Sequence, residues 1–280
     1  MNEYQNHNNR ISSKVVRSLF AMWIKLFSSQ AKRLNDELFS DVRILTDQEW
    51  EQFGRKIKAY CEAREFMPDF TSSWLQHGYR LYLSIKWLED IIRENDIQNG
   101  LELGGESPLT DILREYFPGI SWSNSQGDLR YHWEMQDESI DLIVCTELLE
   151  HISDIPDGIN DSFRKTGLRA VLRECHRVLK PHGWLFITTP NAISLVHIER
   201  ILLGTYPWFY PLHVREYEPN ELLAEIRGSG FSISDWRTVH CLTADETKDY
   251  KLIYTFLLAS NSSVSDRGDD IFVIAQKSQV

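Results

Sequence analysis

The stretch 141-DLIVCTELLEHISD-154 decides how this chain is read. Its first half, Asp141 to Thr146, is a short apolar run, the pattern of a strand buried on both faces. Its second half carries Glu147, Glu150 and His151 at positions i, i+3 and i+4. If a helical turn follows the strand, these three side chains share one face. Two carboxylates and an imidazole there can act as general base, substrate anchor or divalent-metal ligands. The plain alternative is a solvated acidic first turn stabilised by the helix dipole.

Working outward, short apolar runs alternate with helical patterns from residue 97 onward. The runs are 100-GLELGG-105, 120-ISWSN-124, 140-IDLIVCT-146, 183-GWLFITTP-190, 230-GFSISDWRTV-239 and 271-IFVIAQ-276. Helical patterns lie at 109–117, 162–180 and 219–230. This alternation predicts βαβ units and an α/β doubly wound, mostly parallel sheet. The last two runs, joined through the polar tip 260-SNSSVSDRGDD-270, predict a closing antiparallel hairpin. Residues 1–95 read as helical. The segment 46–66 opens on a capping box, Thr46 with Glu49, and 73–95 carries a broad apolar stripe. Arg80 on that helix reads as a solvated helix charge, with ligand contact as the alternative.

In such sheets ligands sit outside the carboxyl ends of the strands. Three strand ends are chemically distinctive. One is the opening stretch. Another is 101-LELGGESPLTDILREYF-117, where Gly104 and Gly105 form a turn before a helix N-terminus, or mark a plain tight turn. The third is 187-ITTPNAISLVHIERILLGTYPWFYPLHVREYEPNELL-223. There the aromatic residues Tyr206, Trp208, Phe209 and Tyr210 precede His213, as a substrate wall or lid, or as simple packing under a long loop.

Taken in order, ELGG, IDLIVCTELLEHISD, LRECHRVLKPHGWLFITTPN and HVREYEPNELLAEIRGSGFSI resemble class I S-adenosylmethionine-dependent methyltransferases over residues 75–280. The resemblance implies a Rossmann-like, seven-stranded sheet with an antiparallel last strand, residues 96–280 as the methyltransferase domain and 1–95 as a helical cap or lid. It implies S-adenosylmethionine as cofactor. By position, Glu102, Gly104 and Gly105 would meet its amino-acid part, Asn124 its ribose and Asp128 its adenine. Thr146 and Glu147 would close the site, and His151, His213 and Glu150 would face the transferred methyl and its acceptor. Methyl transfer from a sulfonium needs chiefly in-line positioning, and a hydroxyl acceptor also needs its proton removed. The ExxEH spacing with a later His is similar to ubiquinone-type O-methyltransferases and to small-RNA 2′-O-methyltransferases. The latter would place Mg2+ or Mn2+ on Glu147, Glu150, His151 and His213.

Two departures from the family pattern stand out. Glu106 and Pro108 replace the second and third glycines of its E-x-G-x-G-x-G loop. A carboxylate at Glu106 lies where the cofactor carboxylate is expected and calls for a compensating charge. Between Pro118 and Asp141 there are 141 − 118 = 23 positions, fewer than the roughly 30 of a βαβ unit. The expectation is a trimmed third strand. These losses also motivate a different class of reading, a degenerate fold kept as a binding or scaffold subunit.

The net charge of −11 makes nucleic acid a poor default partner and favours a small-molecule or glycan acceptor, although Lys14, Arg17, Lys25, Lys32 and Arg33 could form a basic groove. Cys61, Cys145, Cys175 and Cys241 are scattered without a CxxC pair, as expected of reduced thiols in a cytoplasmic protein. No apolar run reaches the roughly 20 residues that span a bilayer. The run 15-VVRSLFAMWIKLF-27 reads as an amphipathic helix.

Overall fold

The computed structural model describes residues 48–63, 74–155, 165–205, 210–241 and 251–278. The stretch 15–27, the basic residues between 14 and 33, and Tyr206, Trp208 and Phe209 lie outside them. Helix α1 (Gln48–Ala63) and helix α2 (Trp74–Glu94) precede strand β1 (Asn99–Glu102). Then follow α3 (Pro108–Tyr116), β2 (Ser121–Asn124), β3 (Ile140–Thr146), a 3-10 turn (Leu149–His151), α4 (Thr166–Val178) and β4 (Leu179–Pro190). The chain continues through α5 (Leu195–Leu203), α6 (Pro219–Gly228), β5 (Phe231–Val239), α7 (Lys251–Ala259) and β6 (Asp270–Lys277).

The six strands form one sheet in the order β2-β1-β3-β4-β6-β5. The pairs among β1 to β4 are parallel, whereas β6 runs antiparallel to both β4 and β5. Residues 125–139 hold no strand, so the sheet among the described residues has six strands, not seven. The connection there is too short for a crossover helix and a further strand. The closing β5–β6 pair is antiparallel as read, but its connection contains α7 as well as a polar tip.

Alternation along the strands buries both faces. Leu142, Val144, Phe186 and Phe272 face α1, α2 and α3, in a core with Phe53, Tyr82, Ile85, Leu88 and Ile112. Ile143, Cys145, Leu185, Ile187 and Val273 face α4 and α6, among Val171, Leu172, Leu222 and Ile226. The result is a three-layer α/β/α arrangement, and α2 is part of it. Helix boundaries follow local chemistry. Ser107 caps α3 with Thr110 as its reciprocal partner and Pro108 in the first turn. Ser194 caps α5, and Gly204 ends it with φ +67°. No helix among the described residues is long and apolar enough to cross a membrane.

Candidate active site

The carboxyl ends of β1, β3 and β4 open on the same edge, as parallel strands require. At the end of β3 the chain does not enter an α-helical turn. Glu147 takes φ +49°, a left-handed conformation uncommon without glycine. Its N–H bonds Thr188 O at 2.9 Å, and a 3-10 turn over Leu149–His151 follows. The kink turns Glu147 away from the other two motif residues, which corrects the single helical face expected of ExxEH.

Two groups result. In the first, Arg80 reaches Glu147 Oε1 at 3.6 Å, Asp270 Oδ2 at 4.0 Å and Thr188 Oγ1 at 3.5 Å. Thr188 Oγ1 also donates to Glu147 at 2.8 Å. Arg80 is only 4% exposed, so the solvated-charge reading is overturned: the guanidinium sits between part-buried Glu147 and buried Asp270. Burial, and then the Glu147 charge, push Asp270 well above the usual carboxylate range, against the pull of Arg80.

The second group is Glu150, His151 and His213. Thr189 Oγ1 donates to Glu150 Oε2 at 2.8 Å, whereas Glu150 Oε1 is buried without a hydrogen-bond partner. Burial, and then the Glu147 charge, raise Glu150 well above its ordinary value. The backbone brings His213 in. Val214 N and Arg215 N both bond Glu150 O, at 2.8 and 3.2 Å, docking the segment after Tyr210 onto the turn. The His151 and His213 rings then meet edge to face, 4.8 Å between centroids, with Tyr210 5.7 Å from His213. One ligand atom from each of Glu150, His151 and His213 lies within 4.8 Å of the others. Burial, and then His213, lower the pKa of His151. Glu147, the fourth expected metal ligand, belongs to the Arg80 group instead.

The β1 end is arranged differently. Gly104 and Gly105 take φ +100° and +88°, which only glycine adopts without strain. Glu102 is buried and accepts from Ser107 Oγ, Thr110 Oγ1 and Asn124 Nδ2, so it braces the loop from below. Burial raises its pKa against these three bonds. A cleft of about 310 Å3 opens beside it, lined by Gly105, Glu106, Arg114, Asn124, Ser125 and neighbours. Arg114 pairs with Glu106 at 2.9 Å, which supplies the compensating charge. Asp128 is not among the lining residues. Arg130 grips both its oxygens, and these side-chain hydrogen bonds lower its pKa to about 2. Thr146 ends β3 opposite Thr188.

Sequence reasoning missed Thr188, Thr189, Asp270, His197 and Glu216. Asn191 of the TTPN stretch is structural: its Nδ2 bonds Asp266 O and Gly268 O at 2.9 and 2.7 Å, tying the end of β4 to the loop before β6.

Known proteins resemble this chain in sequence and in fold. A family described as a methyltransferase domain matches residues 84–235, just over half of the chain. A ubiquinone biosynthesis O-methyltransferase of Pseudomonas syringae is 29% identical over 160 residues, covering 55% of this chain and 62% of that protein. Its namesake from Shewanella sp. is 26% identical over 152 residues, covering 52% and 59%. The chain thus spans about three-fifths of the length of these relatives. A solved S-adenosylmethionine-dependent methyltransferase from Archaeoglobus fulgidus superposes with TM-score 0.51 at 14% identity, covering 75% of this chain and all of that one. That likeness is one of fold. The family match over more than half of the chain and the shared fold agree: the chain belongs to the class I S-adenosylmethionine-dependent methyltransferase family.

Proposed function

We propose that this protein methylates an oxygen of a small-molecule or glycan-precursor acceptor, with S-adenosylmethionine as methyl donor. The observation that carries this reading is the pair of imidazoles, His151 and His213, meeting beside buried Glu150 at the strand ends. The residues of the β1 end fit the cofactor. The positive-φ glycines keep side chains out of the cleft, Asn124 lines it, and Arg114 neutralises Glu106. The cofactor supplies an activated methyl on a sulfonium. The chain supplies positioning and a proton acceptor. A His held below its ordinary pKa is neutral near pH 7 and can take a hydroxyl proton. The Glu147 carboxylate adds negative charge at the mouth of the sheet, which suits a cationic sulfur. A net charge of −11 favours a small acceptor over RNA.

A divalent cation is a second reading, favoured by Glu150 Oε1. A buried carboxylate oxygen without a hydrogen-bond donor, beside two imidazoles, fits Mg2+ or Mn2+ held by Glu150, His151 and His213. Such an ion would polarise the acceptor oxygen.

Calorimetric titration with S-adenosylhomocysteine, with and without Mn2+, tests both readings. Binding in the micromolar range, about −8 kcal/mol, supports the cofactor assignment. Absence of binding at millimolar ligand refutes it and favours a non-catalytic binding subunit. Given an acceptor, His151→Ala is expected to lower kcat by roughly 100-fold or more. Indifference of activity to chelator removes the metal.

A further inference from the structure

Behind His213 lies a buried chain of polar groups that the methyl-transfer reading does not use. Glu216 Oε1 bonds His213 Nδ1, and Glu216 Oε2 bonds His197 Nε2. His197 Nδ1 in turn meets Ser194 Oγ at 2.7 Å. The Glu216 side chain is fully buried and those of His197 and His213 nearly so. Ser194 is the N-cap of α5, so the chain runs from a helix terminus to the candidate site.

The backbone pins the carboxylate in place. Val214 and Arg215 bond Glu150 O, and Ala192 N bonds Tyr217 O at 2.9 Å. Glu216 sits between these two anchors. An ionised carboxylate accepts hydrogen bonds and donates none. With Glu216 as acceptor, His213 Nδ1 and His197 Nε2 are the donors of these two bonds. A neutral imidazole with its proton on Nδ1 carries its lone pair on Nε2.

We propose that Glu216 is the positioning residue of this site: it fixes the tautomer and orientation of His213, so that Nε2 is the nitrogen available beside His151 and Glu150. His197 braces the far oxygen of Glu216, and Ser194 braces His197. The same arrangement serves either use of His213. A general base needs its lone pair aimed at the acceptor proton, and a metal-binding imidazole needs its other N–H held by a carboxylate. The proposal rests on the reading of His213 as a site residue, but its first test does not require activity.

The experiment is side-chain nitrogen NMR on the full chain labelled with 15N-histidine, with His213 assigned by loss of its signals in His213→Gln. In the unsubstituted protein, near neutral pH, His213 is expected to carry its proton on Nδ1 and a bare Nε2. Glu216→Ala is expected to release the ring to the Nε2–H form that unconstrained imidazole prefers. With an acceptor in hand, the same substitution is expected to lower kcat by about 10–100-fold. The affinity for S-adenosylhomocysteine should be unchanged. A His213 protonated on Nε2 in the unsubstituted protein overturns the proposal, whether or not Glu216→Ala folds. So does a folded Glu216→Ala protein with unaltered tautomer and kcat. If S-adenosylhomocysteine fails to bind while His213 keeps its Nδ1 proton, the methyl-transfer reading falls and the positioning role of Glu216 stands.

Discussion

Arg80→Met tests the buried charge cluster most directly. Arg80 faces Glu147 at 3.6 Å and Asp270 at 4.0 Å. Two unit charges about 4 Å apart interact with about 4 kcal/mol at an effective dielectric near 20, which is the gross loss for the Glu147 pair; Asp270, held toward its neutral form by burial, adds less. The net loss is smaller, because the abandoned carboxylates can take up protons. Breaking one side of a buried pair typically costs about 3–5 kcal/mol, and that is the expected loss at pH 8. Methionine retains most of the apolar stem, so a cavity contributes little. The pH dependence separates charge from packing. Asp270 and Glu150 have folded pKa values raised above 3.8 and 4.5 respectively. A raised group contributes its full stability below the unfolded pKa and loses it as pH rises through the folded one. The Arg80 charge lowers both values, so its removal raises them further. The stability difference between the parent and Arg80→Met is therefore expected to widen from pH 4 toward pH 8 as these two carboxyls ionise, by up to about 1.4 kcal/mol for each added pKa unit. Urea unfolding across this range, in chelator, measures it. A difference within the roughly 1 kcal/mol of an exposed ion pair at pH 8 would refute the cluster.

Three further outcomes are expected. Glu102→Gln replaces one acceptor oxygen with a donor beneath the glycine turn. It should cost about 1.5–3 kcal/mol in urea unfolding and weaken S-adenosylhomocysteine binding; unchanged values for both would show that the three donors are indifferent to the charge. Gly100→Ala places a Cβ 2.4 Å from a Trp122 ring carbon, and overpacking of this kind should cost about 1–3 kcal/mol, relieved in the double variant with Trp122→Leu. Arg114→Ala frees the Glu106 carboxylate at the cleft. Because that pair is exposed, the expected effect is at most a ~5-fold weaker calorimetric Kd with unchanged Tm, and a larger loss of stability would mean Arg114 has a structural role.

The sheet was legible because its strands are buried on both faces, which writes each as a compact apolar run between turns. The missing strand was legible too, as a shortage of chain between Pro118 and Asp141. Helix α5 carried readable signals, Ser194 before a mainly apolar nonapeptide and Gly204 after it, but the aromatic residues that follow drew the reading toward a wall or lid. Helix α7 was hidden because the polar tip at 260–270 suffices for a hairpin, and nothing local requires a helix before it. Arg80 was misread for a different reason. Nothing local distinguishes it from an exposed helix charge, and only the folded sheet brings Glu147, Thr188 and Asp270 beneath it. Glu216 lies three residues from His213, so the pair was within local reach. Its second partner, His197, comes from α5 and could be found only in three dimensions.

The backbone also explains how one short motif serves two groups of residues. Thr188 and Thr189 are consecutive on β4, and consecutive strand residues point to opposite faces. Thr188 bonds Glu147 on the side of Arg80, and Thr189 bonds Glu150 on the side of the docked 210–217 segment. For Glu147 and Glu150 to meet these partners, the chain leaving β3 must turn sharply between them. A regular helical turn would put both carboxylates on one face and leave one threonine unmatched. The left-handed Glu147 makes that turn, and its strain is offset by the bonds from Thr188 Oγ1 and to Thr188 O. The ExxEH spacing is therefore read out through a kinked backbone. Its first carboxylate joins the buried charge cluster. Its second carboxylate and its imidazole join the group at which Glu216 positions His213.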